Sequence, residues 1–240
     1  DPQTALMILC NPQNPAGNIW DRETLARIGA LCKQYDVIVV SDEIHCDLTK
    51  PGTEYIPFAS VDDTCRDISV TCIAPTKTFN LAGLQAAAVY AENSILHHRM
   101  WRQLNTDEVA EPNAFAIQAT IAAFQYGEEW LDELREYVEK NKQYVTEFLQ
   151  EKIPLIHPVA GDATYLMWLD CRKITESGRQ FVKFIRKTSG LYVSGGNQYG
   201  RGGEGFLRVN VATSKLVVED GMQRLYESVD AWLKEEKISK

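Results

Sequence analysis

The sequence has no apolar stretch near the ~20 residues that a membrane-spanning helix needs. It also has no block of Lys and Arg, because its 25 basic residues are scattered and outnumbered by 33 acidic ones, for a net charge of −8. Proteins that bind nucleic acid or an anionic membrane surface normally present a concentrated basic face. The sequence therefore argues against a membrane as a partner and against nucleic acid.

Paired cysteines of the CxxC type are also missing, and none of the four histidines stands at metal-ligand spacing to a cysteine pair. The first residues show neither the basic region nor the cleavage-site pattern of a signal peptide. We therefore expect a cytoplasmic protein without a metal, in which the six cysteines are reduced and mostly buried. These cysteines are Cys10, Cys32, Cys46, Cys65, Cys72 and Cys171.

Short apolar runs alternate with helical patterns in the first half of the chain. A helix is predicted to begin after an Asp21 cap and to continue to Tyr35. Such alternation favours an α/β fold with a mostly parallel sheet that is covered on both faces. The predicted strands are Leu6–Cys10, Val37–Val40, Asp67–Ile73 and Leu84–Tyr90.

The second half predicts a long helix followed by a small α+β domain. Pro112–Tyr126 has the composition of a buried helix, and Glu128–Lys152 that of an amphipathic one. We expect residues 1–127 to form a large domain, 128–152 a bridging helix and 153–240 a small C-terminal domain. Within the last, strands are predicted at 164–170, 191–193 and 206–211, helices at 177–188 and 217–234, and a mobile Gly-rich loop at 194–205.

Three predicted strands end in polar residues of unusual type. Taken one at a time, the three sets of residues are typical of a turn, a helix cap and a surface lysine. The carboxyl ends of parallel strands, however, meet at one edge of a sheet. Together they predict a cavity for an aromatic aldehyde cofactor with a ring nitrogen, because such a group uses a lysine, a carboxylate and an amide. The three sets are Asn11, Asn14 and Gly17; Asp42, Glu43 and His45; and Thr76, Lys77 and Asn80.

Four motifs, "NPQNPAG", "SDEIH", "APTKTFNLAGLQ" and "FLRVNVA", stand in an order that resembles the fold-type I pyridoxal-phosphate enzymes of the aminotransferase class I/II superfamily. The resemblance implies a large domain of the PLP-dependent transferase type with pyridoxal 5′-phosphate as cofactor. It implies that Lys77 is the Schiff-base lysine, that Asp42 pairs with the pyridine nitrogen, and that Asn14 donates to the phenolic oxygen and lies beside the substrate. It further implies Thr76 as a phosphate ligand and Arg208 as the ligand of the substrate carboxylate.

The motifs depart from many aminotransferases of this family at three positions. His45 stands where a cofactor-binding tyrosine is common, Gln85 where an arginine often binds the phosphate, and Ala74 in place of Ser or Gly. In these features the sequence is similar to the C–S β-lyase branch, which includes cystathionine β-lyases. The expected reaction is α,β-elimination of cystathionine or cysteine S-conjugates to pyruvate, ammonia and a thiol. Transamination of an L-amino acid and a non-catalytic, regulatory role are the alternatives.

Family chains are longer at the N-terminal end, where the resemblance places a phosphate-binding turn and an aromatic residue that stacks on the cofactor. We therefore expect a chain shortened at Asp1, which lies just before an apparent interior strand. The resemblance also implies a homodimer.

Overall fold

The computed structural model describes residues 3–238. These residues form two compact units, the first from 3–14, 18–135 and 162–164 and the second from 15–17, 136–161 and 165–238. The division into domains 1–127, 128–152 and 153–240 stays a prediction.

The first unit is built on a four-stranded sheet in the order β1-β2-β3-β4. Strands β1, β2 and β3 run parallel, and β4 runs antiparallel to β3. The predicted α/β class with a mostly parallel sheet is confirmed. The elements are β1 (Leu6–Cys10), α1 (Arg22–Gln34), β2 (Ile38–Asp42), α2 (Asp63–Asp67), β3 (Ser69–Ile73), α3 (Pro75–Thr78), β4 (Ala88–Tyr90), α4 (Ser94–Thr106), α5 (Ala116–Tyr126) and the start of α6 (Glu128–Lys152).

One face of this sheet packs into a core with α1 and α2. The α1 helix begins as predicted, because the Asp21 carboxylate accepts a hydrogen bond of 2.8 Å from the Thr24 N–H. Leu25 of α1 and Val39 of β2 are fully buried in this core. On the opposite face, Leu6 and Ile8 of the edge strand β1 remain 51% and 69% exposed, whereas Val70 of β3 on the same face is buried. Within the described residues, the predicted cover on both faces is therefore present at β3 and missing at β1.

Two predictions for this unit were wrong: the first residue of one strand and the burial of one helix. The strand expected from Leu84 begins only at Ala88, because residues 82–84 form a 3₁₀ turn and Gln85 takes a left-handed φ of 51°. The helix expected to be buried is α5, of which only Ala116 is buried. Its composition is apolar, but within residues 3–238 nothing packs over most of its surface.

The second unit contains an antiparallel sheet in the order β5-β6-β8-β7. The α7 helix begins at the predicted place, where the Ser177 hydroxyl accepts from the Gln180 N–H at 3.3 Å. The strand predicted at 191–193 was wrong, since pairing with β8 occurs at β7 instead. The elements are β5 (His157–Pro158), β6 (Leu166–Asp170), α7 (Gly178–Ser189), β7 (Ser194–Gly195), β8 (Phe206–Asn210) and α8 (Lys215–Ile238).

The long helix α6 has the predicted bounds and carries one polar residue in its buried stripe. Asn141 is 3% exposed, and its amide donates to the carbonyl oxygens of Val211 and Thr213 at 2.9 and 3.0 Å. These two bonds fix the segment that follows β8 against the helix, and the bond to Val211 satisfies a buried carbonyl group.

Candidate active site

Strands β1, β2 and β3 end in register, so the segments that follow them leave the sheet at one edge. Cys10, Asp42 and Cys72 are lateral neighbours across the three strands. Backbone hydrogen bonds continue past the strand ends, from the Asn11 N–H to the Asp42 carbonyl (3.1 Å) and from the Glu43 N–H to the Cys72 carbonyl (2.9 Å). The predicted meeting of polar segments at one sheet edge is therefore present in the fold.

The turn after β1 is anchored by Asn11, which is fully buried. Its side-chain oxygen accepts from the Trp20 N–H at 3.2 Å, and its carbonyl accepts from the Tyr55 hydroxyl at 2.8 Å. The Nδ2 group of Asn11 has no hydrogen-bond partner among the described residues. Asn14 is half-buried in the same turn, and its backbone N–H bonds to the Cys10 sulfur.

Asp42 closes β2 with its side chain on the same face as the thiols of Cys10 and Cys72. Burial raises the pKa of both thiols, and the nearby Asp42 charge raises it further. The carboxylate itself is half-buried and accepts one long hydrogen bond, 3.4 Å from the Ile44 N–H. No cation within the described range pairs with it.

Glu43, the next residue, points to the interior and is 2% exposed. One of its oxygens accepts from the Ser41 hydroxyl at 2.8 Å and from the Phe58 N–H at 3.0 Å. Burial raises the pKa of the Glu43 carboxyl, while these donors and the Tyr55 hydroxyl act in the opposite direction. Glu43 therefore links the end of β2 to the segment that carries Tyr55.

The loop after β2 also holds the predicted residue His45, which is 3% exposed. Two residues further on, the Asp47 carboxylate accepts from the Thr78 hydroxyl at 2.9 Å. This bond ties the β2 loop to α3, the helix that contains Lys77.

Lys77 lies in α3, a one-turn helix that follows β3. Pro75 is the first residue of α3, a position at which the missing N–H costs nothing. Lys77 and Thr76 are both half-buried. No acceptor in the described part of the chain pairs with the Lys77 amine.

An amine and a carboxylate at one sheet edge are thus left without a charged partner in the described chain. Lys77 Nζ is available to a carbonyl carbon, and the Asp42 carboxylate can accept from a protonated ring nitrogen. The donor set fits an aldehyde-bearing nitrogen heterocycle, and the orphaned Nδ2 of Asn11 leaves a further donor at the same edge.

The sixth predicted residue, Arg208, belongs to the second unit. It lies on β8, opposite Trp168 of β6 and Ser194 of β7, and is half-buried. The five residues Asn14, Asp42, His45, Thr76 and Lys77 all belong to the first unit.

Sequence reasoning missed Tyr55 and the inward direction of Glu43. Tyr55 lies between two prolines without any periodic pattern, so nothing in its neighbourhood marks it. Glu43 could have been found from the alternation of side chains along β2, because Ser41 and Glu43 share the direction opposite to Asp42.

A groove of about 260 Å³ lies next to α3, between the end of β3, β4 and α5. Its lining is almost wholly apolar and contains no titratable side chain. None of the six predicted site residues belongs to its lining. Its lining residues include Ile73, Pro75, Ala87, Ile117 and Phe124.

Two features are not found within residues 3–238. No cluster of three or more His, Cys, Asp or Glu side chains could hold a metal ion there. No helix in that range is long and apolar enough to cross a bilayer.

Comparison with known families gives a match to the model described as "Aminotransferase class I and II" over residues 1–225. The chain belongs to this family. Cystathionine beta-lyase PatB of Bacillus subtilis (strain 168) is 43% identical over 225 residues, which are 94% of this chain and 58% of PatB.

Solved structures give the same result for the fold. A PLP-bound putative aminotransferase from Clostridium difficile 630 superposes with a TM-score of 0.91 at 31% identity, over 94% of this chain and 58% of that one. The PLP-bound C-S lyase from Staphylococcus hominis superposes with a TM-score of 0.84 at 33% identity, over 94% of this chain and 58% of that one. The chain therefore spans somewhat over half the length of the proteins that it matches.

Proposed function

We propose that the protein is a pyridoxal-phosphate-dependent C–S β-lyase that acts on cystathionine or cysteine S-conjugates. The observation that carries this proposal is the pair of unpartnered groups, Lys77 and Asp42, at one sheet edge. The 43% identity to a cystathionine beta-lyase supports the elimination reaction over transamination.

Each predicted site residue has a role in this proposal. Lys77 would bind the cofactor aldehyde, Asp42 would accept from the ring nitrogen, and Asn14 would donate to the phenolic oxygen. Thr76 would contact the phosphate, and the buried His45 would line the cofactor near Asp42.

The cofactor supplies an electron sink that stabilises negative charge at the substrate α-carbon. Arg208 would bind the substrate carboxylate through two parallel N–H···O bonds. Lys77 Nζ, once free and neutral, would take the α-proton. The Cβ–S bond then breaks, the electron pair leaves with sulfur as a thiolate, and water converts the remaining unsaturated amine to pyruvate and ammonia.

The experiment is an assay of pyruvate, ammonia and thiol released from L-cystathionine by the cofactor-loaded protein. We expect all three products in equal amounts. Lys77→Ala should reduce the rate by roughly 10²- to 10⁴-fold, because a nucleophile and a base are both lost. Borohydride reduction followed by peptide mass spectrometry should place the trapped cofactor on Lys77. Lys33→Ala, which removes an exposed ion-paired lysine, is the matched control.

Two results would contradict the proposal. Keto-acid-dependent amino transfer without pyruvate release would identify an aminotransferase. A protein that neither traps cofactor at Lys77 nor forms product would support the regulatory alternative.

We also propose that the protein acts as a cytoplasmic homodimer. The six free thiols support a reducing compartment. Apolar side chains on α5, with Ile117 and Phe124 each 52% exposed, support a subunit contact. Sedimentation equilibrium should give twice the chain mass, and a single-chain mass at micromolar concentration would refute the dimer.

A further inference from the structure

The Gly-rich segment at 194–205, expected to be a mobile loop, presents an aromatic ring to Arg208. Two 3₁₀ turns, Gly196–Tyr199 and Arg201–Gly203, shape this segment. The Arg208 guanidinium carbon lies 5.0 Å from the centre of the Tyr199 ring. This distance is within the range of a cation–π contact.

The Tyr199 ring is itself held by a buried aromatic pair. It meets Trp168 edge-on, with ring centres 5.6 Å apart and planes at 88°. Trp168 stacks on Phe206 at 5.1 Å with planes at 6°, and both residues are 8% exposed. Tyr199 is therefore the outer member of a stack whose inner members cannot move without disturbing the core.

Two glycines allow the segment to pack this closely. A Cβ on Gly196 would lie 2.1 Å from the Gly203 carbonyl oxygen and 2.7 Å from the Trp168 ring. A Cβ on Gly203 would lie 2.0 Å from the Gly196 carbonyl oxygen. Glycine is needed here for close backbone approach, and this approach fixes the turn that carries Tyr199.

We propose that Tyr199 is a positioning residue that holds the Arg208 guanidinium for the substrate carboxylate. This inference rests on the proposed role of Arg208. The guanidinium carbon lies over the Tyr199 ring, so the arginine is held through the π-system of the ring and not through a hydrogen-bond acceptor. This contact restricts the arginine without supplying an acceptor that competes with the substrate carboxylate, and less rotamer entropy is lost on binding.

The test compares L-alanine with L-alaninamide as ligands of the cofactor-loaded protein, because the two differ only in the carboxylate. In Tyr199→Leu we expect the Kd of L-alanine to rise roughly 2- to 30-fold, the range of one cation–π contact. The Kd of L-alaninamide should change less than about twofold. Tyr199→Phe keeps the ring and should behave as wild type, and the KM for cystathionine should rise in Tyr199→Leu without a matching loss in kcat.

Tyr192 provides a matched control. Its ring also lies 5.0 Å from an arginine, Arg186, on the same unit. Tyr192→Leu should leave both ligands unaffected. An equal loss of affinity for alanine and alaninamide in Tyr199→Leu, or no loss for either, would overturn the inference.

A second measurement does not depend on ligand or activity. In the proton NMR spectrum, the ring should shift the Arg208 Nε–H resonance upfield in wild type and in Tyr199→Phe. In Tyr199→Leu the chemical shift of this resonance should move downfield. No movement would overturn the contact.

Arg208→Lys separates the two proposals. If this change leaves the ratio of the Kd of L-alanine to the Kd of L-alaninamide unaltered, the proposed role of Arg208 is wrong. If it alters the ratio while Tyr199→Leu does not, only the inference about Tyr199 fails.

Discussion

Asp42 and Glu43 are neighbouring carboxylates with opposite environments. Asp42 is half-buried at the polar edge beside two thiols, whereas Glu43 is turned inward and 2% exposed. The alternation of side chains along a strand separates them, so that one carboxylate can meet a ligand and the other supports the fold. At the residue scale, the direction of the side chain, and not the type of residue, decides which of the two carboxylates is open to a ligand.

The buried Glu43 predicts a pH dependence of stability. Burial raises its pKa in the folded state above the ordinary value of 4.5. The folded protein therefore holds the proton more tightly than the unfolded chain. The stability from this group is fully present below about pH 4.5 and is lost as the pH rises through the raised value.

Glu43→Gln should remove this dependence, since the amide oxygen can still accept from Ser41 and Phe58. Urea unfolding between pH 4.5 and 7.5 should show the wild-type free energy of unfolding falling relative to that of the variant. Glu133→Gln, at an exposed position, should follow the wild type. Parallel curves for wild type and Glu43→Gln would show that Glu43 does not titrate as expected.

At the scale of elements, the short helix α3 depends on a ring that follows it. Phe79 meets Phe124 of α5 edge-on at 5.3 Å and Trp130 of α6 at 6.0 Å. Four residues cannot form a stable helix in isolation, so these contacts and the Thr78–Asp47 bond hold the position of Lys77.

Gly127, between α5 and α6, lies against this ring and provides a test. In Gly127→Ala the new Cβ would lie 2.6 Å from a Phe79 ring carbon and 2.3 Å from the Ala123 carbonyl oxygen. We expect the free energy of unfolding to fall by about 1–3 kcal/mol. Cofactor trapping at Lys77 should fall with it.

Gly83→Ala is the control, because a Cβ there meets no atom within 4 Å. Its stability should stay within about 0.5 kcal/mol of wild type. If both alanine variants unfold at the same urea concentration as wild type, Phe79 does not anchor α3.

At the scale of the whole molecule, all six cysteines are free, and burial raises the pKa of each thiol. The pKa of Cys46 and that of Cys65 rise to about 12. Since the thiolate is the reactive form, no cysteine of the native protein should be an effective nucleophile near neutral pH.

Labelling with iodoacetamide at pH 7.5 should therefore be much slower for each native cysteine than for free glutathione. The rate should still be rising at pH 9, and unfolding in urea should make all six react. A cysteine that labels as fast as glutathione, or a rate that levels off below pH 8, would contradict the expectation.

The elements with local signals were predicted well. Asp21 and Ser177 act as helix caps because a side-chain oxygen and an amide three residues later are close in the chain. Residues without local signals were misjudged. The apolar composition of α5 suggested burial, but burial requires a neighbour that packs against it, and composition does not supply one.

The sequence by itself determined the class of fold, because strand ends and turns follow from local patterns. It also indicated the family, through the resemblance of four ordered motifs, and it placed Asp42 at the end of a strand and Lys77 just after the next one. Only the tertiary structure decided which residues support them. The Tyr55–Asn11 bond joins positions 44 residues apart, and the two bonds of Asn141 join positions 70 and 72 residues apart. Tyr199 acquires its place beside Arg208 through Trp168, on another strand. Such contacts arise from packing between segments that are distant in the chain. Local periodicity and spacing therefore do not predict any one of them.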